Sequence, residues 1–260
     1  MPAAEPGQLL QPDWDLPPAV QARQTTRYGG YSLAPYDSWN LGSHVGDDPN
    51  AVAANRARLQ DRLGAVAIQW LDQVHGLTVV AVESEPVSPA PAADAAWTTA
   101  PRVALAIMTA DCLPVLLCSR RGDLVAAAHC GWRGLTGGLL GRLLAGIPEP
   151  ASQMQAWLGP AISQPNYEVG PDVWEPVQEA FAAAGDRALL SRVLHPVPDA
   201  AEKRLLDLAG MARWQLQAEG VGHVAGGQDC AYADPRFYSH RRAQRAGTET
   251  GRMASLIWRG

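Results

Sequence analysis

The chain has 260 residues, 47% of them apolar, enough to bury a sizeable core. A formal net charge of −5 leaves no basic field for nucleic acid or an anionic membrane surface, so neither is an expected partner. The cysteines at 112, 118, 130 and 230 are too few and too unevenly spread for a disulfide framework, and a reducing, cytoplasmic setting is expected.

Residues 1–10 read as a loose lead-in without the basic stretch and apolar core of an export signal. After the turn Thr26-Arg27-Tyr28-Gly29-Gly30 the chain stays polar and turn-rich to Gly46. Asp48-Pro49 has the form of a helix N-cap with proline at the first helical position; Val52, Leu59 and Leu63 supply one apolar face, and Gly64 ends the helix. Two strand-like runs follow, 66–74 and 77–82, divided by His75-Gly76. A regular first strand would place Gln69, Leu71, Gln73 and His75 on one face. Residues 84–96, rich in Pro and Ala, predict a surface loop. Apolar runs at 103–109, 113–118 and 124–128 read as strands, and Asp111 and Pro114 interrupt the stretch 103–118 as a membrane span. A helix carrying Leu135, Leu139, Leu140, Leu143 and Leu144 is expected next. Helical spacing recurs over 172–184 and over 202–219, with Gly220 as a C-terminal cap, and residues 253–258 read as a last strand. With no repeat and no domain boundary visible, one α+β domain with mixed sheets over residues 1–260 is expected.

His75, Cys112 and His129 each stand at the edge of an apolar run beside Gly or Asp, where side chains can converge on a rigid platform. Two imidazoles and a thiolate suit Zn²⁺, and three protein ligands leave a fourth position open. Their separation in sequence is not itself a metal motif, and two other readings use the same atoms. Cys112 could be a nucleophile with His129 as base and Asp111 or a nearby amide orienting the imidazole, or a core thiol beside histidines satisfied by backbone bonds. Cys118, in a regular strand, lies roughly 20 Å from Cys112 and cannot share a metal with it. Cys130 faces away from His129 and, like Cys118, reads as a small hydrophobe. The run Arg236-Phe237-Tyr238-Ser239-His240-Arg241-Arg242, then Arg245 and Arg252, offers guanidinium forks for carboxylate or phosphate, and Arg27 is a second candidate anion contact.

These residues fall in a series of short motifs: Asn40-Leu41-Gly42, Gln73-Val74-His75-Gly76, Thr109-Ala110-Asp111-Cys112-Leu113-Pro114, His129-Cys130-Gly131-Trp132-Arg133-Gly134, Gly159-Pro160-Ala161-Ile162 and Phe237-Tyr238-Ser239-His240-Arg241-Arg242. In their order and over nearly the whole chain they resemble the YfiH-like or laccase-domain family, also called multicopper polyphenol oxidases or peptidoglycan editing factors. The resemblance implies a four-layer α/β/β/α sandwich with mixed β-sheets, similar to cysteine hydrolases of the bacterial deamidase-toxin type. It implies zinc on His75, Cys112 and His129; copper is the other metal considered, although the chain lacks the paired His-x-His motifs of a trinuclear copper site.

The activity implied is phosphorolysis of purine nucleosides, including adenosine, inosine, guanosine and methylthioadenosine, with adenosine deamination. Removal of L-serine wrongly attached to UDP-N-acetylmuramic acid is an alternative, and copper-dependent polyphenol oxidation and a structural-zinc binding protein are two more. On the first reading His75, Cys112, His129 and Asp111 are catalytic, Arg27, Arg241 and Arg242 hold phosphate, and Asn40 and Ser239 bond a polar substrate. The expected partner is a small molecule, and the expected state a monomer. Cys230-Ala231 stands where the family usually has Cys-Thr, which puts in doubt a hydroxyl role at 231.

Overall fold

The computed structural model describes residues 9–185 and 187–260, so most of the expected lead-in lies outside the described residues. Leu10 is already paired, exchanging backbone bonds of 2.8 and 2.9 Å with Gln24. In chain order the first elements are β1 (Val20–Gln24), α1 (Pro49–Leu63), β2 (Ala67–Gln69), β3 (Val79–Ala81), β4 (Ala95–Thr98), β5 (Val103–Thr109), β6 (Leu113–Ser119), β7 (Val125–Cys130), α2 (Trp132–Thr136) and α3 (Leu139–Gly146). There follow β8 (Met154–Leu158), β9 (Glu168–Val169), α4 (Pro171–Ala183), α5 (Arg187–Val193), β10 (Leu194–Val197), β11 (Ala200–Leu206), α6 (Leu208–Ala218), β12 (His223–Gly226), α7 (His240–Ala246) and β13 (Met253–Arg259).

Two mixed sheets are stacked, one in the order β1-β13-β5-β2 and one in the order β12-β8-β6-β7-β4-β3; a small third sheet joins β10, β11 and β9. The alternation of side chains along each strand sorts them into layers. On β5, Val103, Leu105 and Ile107 enter the core between the sheets with Leu116, Val125 and Ala127. Ala104, Ala106 and Met108 turn the other way, onto Leu59 of α1. On β6, Leu113, Val115 and Leu117 pack beneath Leu135, Leu139, Leu143, Phe181 and Met211 of the opposite helices. The result is the four-layer α/β/β/α arrangement. Strands buried on both faces read as unbroken apolar runs, which is why β5 and β6 are visible in the sequence. No helix among the described residues is long and apolar enough to cross a membrane.

Several expected boundaries shift. Of the run 66–74, only Ala67–Gln69 is strand. Beyond it the Gln73 side-chain amide clamps the backbone of Met108, giving and receiving bonds of 2.8 Å, and His75 adopts φ 57°. The single helix expected around residues 135–144 is divided at Gly137-Gly138 into α2 and α3. The run 202–219 changes from β11 to α6 at Asp207, whose carboxylate accepts the Gly210 N–H at 2.9 Å as an N-cap. The end of the expected loop 84–96 belongs to β4, because its Ala95 and Ala96 fit against the equally small Ala127 and Ala128 of β7.

Candidate metal centre

His75, Cys112 and His129 meet. The ligand atoms of the three lie within 4.8 Å of one another, and they are the one such group of three or more His, Cys, Asp or Glu side chains among the described residues. Each comes from the end of a different strand region. His75 follows the short β2 in its left-handed turn, Cys112 leads into β6 after the turn at Asp111 (φ 93°), and His129 is the last residue but one of β7. Cys112 Sγ is 3.8 Å from His75 Nε2, and the two imidazoles meet edge to face with centroids 4.8 Å apart.

Asp94 organises the group. Its carboxylate is fully buried and accepts the His129 Nδ1–H at 2.8 Å, which leaves His129 Nε2 as the nitrogen free to act as a ligand. The same carboxylate accepts the backbone N–H groups of Val74 (3.2 Å), His75 (3.0 Å) and Gly76 (2.6 Å), so it also builds the turn that presents His75. Sequence reasoning missed Asp94. An acid among prolines and alanines reads as a solvated loop residue, and only the pairing of β4 with β7 carries it under His129.

The electrostatics favour a thiolate. Burial opposes a charge on Cys112, but the adjacent imidazoles of His129 and His75 outweigh it and lower the thiol to about 6. Burial also opposes protonation of His129, and Cys112 and Asp94 outweigh it in turn, raising the imidazole to about 9. Cys118 and Cys130 lack such partners; burial pushes Cys118 up to about 12 and Cys130 also upward.

A metal fits this donor set. Two imidazoles and a low-pKa thiol are soft-to-borderline ligands, and Asp94 supplies the carboxylate that commonly orients a ligating histidine. Gly131 keeps the centre clear, since a Cβ there would stand 3.2 Å from Cys112 Sγ and 3.4 Å from His75 Cδ2. Cys230 lies outside the group, its sulfur bonded by the Ser163 hydroxyl at 3.0 Å and the Asn166 amide at 3.4 Å.

The three donors line a cavity of about 850 Å³ together with His44, Asp111, Trp132, Tyr167, His240, Arg241 and Arg252. Asp111 is buried. Its Oδ2 accepts the Arg241 N–H at 2.6 Å, its Oδ1 is buried without a hydrogen-bond partner among the described residues, and burial raises its carboxyl above the usual range. Of the residues expected to hold substrate or phosphate, Arg241 is on the cavity wall, with its guanidinium on the Glu168 carbonyl at 2.8 Å and over the Tyr167 ring. Arg27, Asn40, Ser239 and Arg242 are not on that wall. Arg27 is paired with Asp37 at 3.0 Å and lies over Tyr238. Ser239 caps α7, accepting the Arg242 N–H at 3.1 Å. The Arg242 guanidinium donates to the carbonyls of Ala231, Tyr232 and Phe237. These three contacts hold the segment between β12 and α7 in place.

Known proteins are similar to this chain in sequence and in fold. A family model described as multi-copper polyphenol oxidoreductase laccase matches residues 21–260. The purine nucleoside phosphorylase PA4543 of Pseudomonas aeruginosa is 49% identical over 251 residues, 96% of this chain and 97% of its own. The purine nucleoside phosphorylase YfiH of Escherichia coli is 43% identical over 253 residues, covering 96% of this chain and 98% of its own. A crystal structure of the Neisseria meningitidis protein NMB0706 superimposes with a TM-score of 0.86 at 42% identity, covering 96% of this chain and 98% of that one. With four layers, motifs and near-full-length relatives in agreement, the chain belongs to the YfiH-type family of laccase-domain proteins.

Proposed function

We propose that the chain is a zinc-dependent purine nucleoside phosphorylase of the cytoplasm that also deaminates adenosine, with methylthioadenosine among its substrates. The observation that carries this reading is the convergence of His75, Cys112 and His129 on the wall of a cavity that also holds arginines. Relatives named purine nucleoside phosphorylase, 43% and 49% identical over nearly the full chain, support an enzyme with a small-molecule substrate. A zinc ion held by the three side chains would supply a Lewis acid with an open coordination position. A single group of three donors among the described residues favours one ion over the several coppers of a laccase, and Cys230, engaged elsewhere, favours an open site over a closed structural one.

Phosphorolysis joins a phosphate oxygen to the ribose C1′ as the bond from C1′ to the base nitrogen breaks. The bonding pair leaves on the base, and the proton of hydrogen phosphate passes to it. Asp94 holds His129 and the His75 turn in one arrangement throughout, so the centre needs little reorganisation. Asp111 lines the cavity and, by accepting the Arg241 N–H, fixes the start of α7 and with it Arg241 on the wall. Tyr167 and Trp132 offer apolar faces to the base, and water is displaced as it enters.

The test is a substrate panel on wild type and Cys112→Ser, with and without phosphate. Wild type should release hypoxanthine from inosine only with phosphate, and Cys112→Ser should lose metal and at least about 100-fold in rate together. Full turnover after loss of metal would overturn the mechanism. Release of serine from UDP-N-acetylmuramyl-L-serine, without phosphate-dependent release of base, would favour the amidase reading.

A further inference from the structure

The motif Asn40-Leu41-Gly42 is a socket for an arginine far away in sequence. Asn40 Oδ1 accepts the N–H of Arg252 at 2.8 Å and that of Gly42 at 2.9 Å. The Leu41 N–H donates to the Arg252 carbonyl at 3.0 Å. Gly42 is required by contact, because a Cβ there would stand 2.7 Å from Arg252 Cγ. Asn40 is therefore a positioning residue for Arg252 instead of a substrate contact.

The guanidinium so placed is incompletely satisfied. Nη1 donates to the carbonyls of Thr250 and Gly251 at 3.2 and 3.1 Å, while Nε and Nη2 have no partner among the described residues. No carboxylate there lies within ion-pairing distance of it. Burial works against its charge, and the negative groups that favour it, Cys112 first and then Asp111, act across the cavity. Of the other cations of the wall, Arg241 donates through Nη1 to the Glu168 carbonyl, Arg245 donates through Nη1 to the Tyr232 hydroxyl at 2.8 Å, and Lys203 lies 4.0 Å from the Glu168 carboxylate. The Arg133 guanidinium lies over the Trp132 ring with no hydrogen-bond partner among the described residues. Arg252 differs from them in its seat, which Asn40 fixes through the backbone. A held guanidinium with one free edge matches a tetrahedral oxyanion, which can accept two parallel N–H bonds from that edge.

We propose that Arg252, seated by Asn40-Leu41-Gly42, is the anion site of this cavity and receives inorganic phosphate. The inference rests on the phosphorolytic reading for the identity of the anion, and on the free guanidinium edge for its place. It moves the phosphate site from Arg27 and Arg242, which are not on the cavity wall, and from Arg241, whose Nη1 is on the Glu168 carbonyl, to a wall residue whose backbone the Asn40 socket fixes.

The experiment titrates inorganic phosphate into the metal-loaded full chain, wild type, Arg252→Gln and Arg252→Lys, followed by calorimetry and by melting temperature, with phosphate and inosine kinetics alongside. Phosphate should bind the wild type and raise its melting temperature. Arg252→Gln should weaken phosphate binding and raise the phosphate KM by about 10- to 100-fold while the inosine KM changes less than about 3-fold. Arg252→Lys keeps the stem and the charge without the fork, should fall between the two, and serves where the Gln variant does not fold. Acetate in place of phosphate should give no response, and a carboxylate response as large as the phosphate response would overturn the assignment. Phosphate binding unchanged in both variants, or absent from the wild type, overturns it too. Arg252-dependent phosphate binding without phosphate-dependent release of base would instead sink the phosphorylase reading and leave the anion site standing.

Discussion

A single buried carboxylate, Asp94, serves two metal-ligand candidates at once. It fixes the ring of His129 through Nδ1 and the backbone turn of His75 through three amides. Replacing Asp94 by Asn removes the charge and puts an NH2 donor where a carboxylate oxygen accepts N–H groups. The expected result is a loss of about 10- to 100-fold in zinc affinity, read by competition with a chelator of known strength. Unchanged affinity would mean that the ligands hold themselves. Cys112 offers a second check. With its thiol at about 6, alkylation by iodoacetamide in chelator-treated protein should rise through about pH 6 and level off above it, as the thiolate fraction fills. Peptide mapping should place this label on Cys112 and leave Cys118 and Cys130 unlabelled; added zinc should slow it. His75, Cys112 and His129 were legible because each sits in a distinct motif at the end of an apolar run. Asp94 and the role of Arg252 were not, because both depend on which distant backbone lies alongside.

Among the elements, α1 does more than cover a sheet. Asn55, fully buried on its inner face, donates to the Ser32 hydroxyl at 2.9 Å and to the carbonyls of Ser38 and Asn40 at 3.2 and 2.8 Å, and accepts the Tyr31 N–H at 2.8 Å. A polar, turn-rich stretch that carries no regular structure is thereby held in one shape, with Asn40 and its socket at one end. Asn55→Ala strands several buried partners and should cost about 2–4 kcal/mol in urea denaturation. It should also weaken phosphate binding, since Arg252 depends on the same loop. The helix itself was readable from Asp48-Pro49 and Gly64; its inward-facing Asn interrupts the apolar face, and that interruption was the only trace of the loop it holds. The misread stretches share a cause. At 66–74 and 202–219 a change of element is set by a side chain bonded to distant or local backbone (Gln73, Asp207), and at 84–96 by the pairing of β4 with the distant β7; apolar spacing records neither.

At the scale of the molecule, both main sheets are mixed and out of sequence order. Layer membership could be expected from the family resemblance, but strand order could not be read from apolar runs alone. Strands buried on both faces carry no alternation to say which neighbour they choose. The pairing of β13 has a consequence for how the molecule is made. It lies in the interior of its sheet, with β1 on one side and β5 on the other, and β1 has no other strand partner in that sheet. On the ribosome, β1 and β5 emerge long before the strand that joins them, so β5 waits with an open edge. Until β13 pairs, that edge is open to the wrong partner, which is the hazard of an unpaired strand during folding. Because Arg252 immediately precedes that strand, the closing of the sheet and the completion of the anion site are one late event. A chain cut short before it would carry the metal ligands without the site for the second reactant.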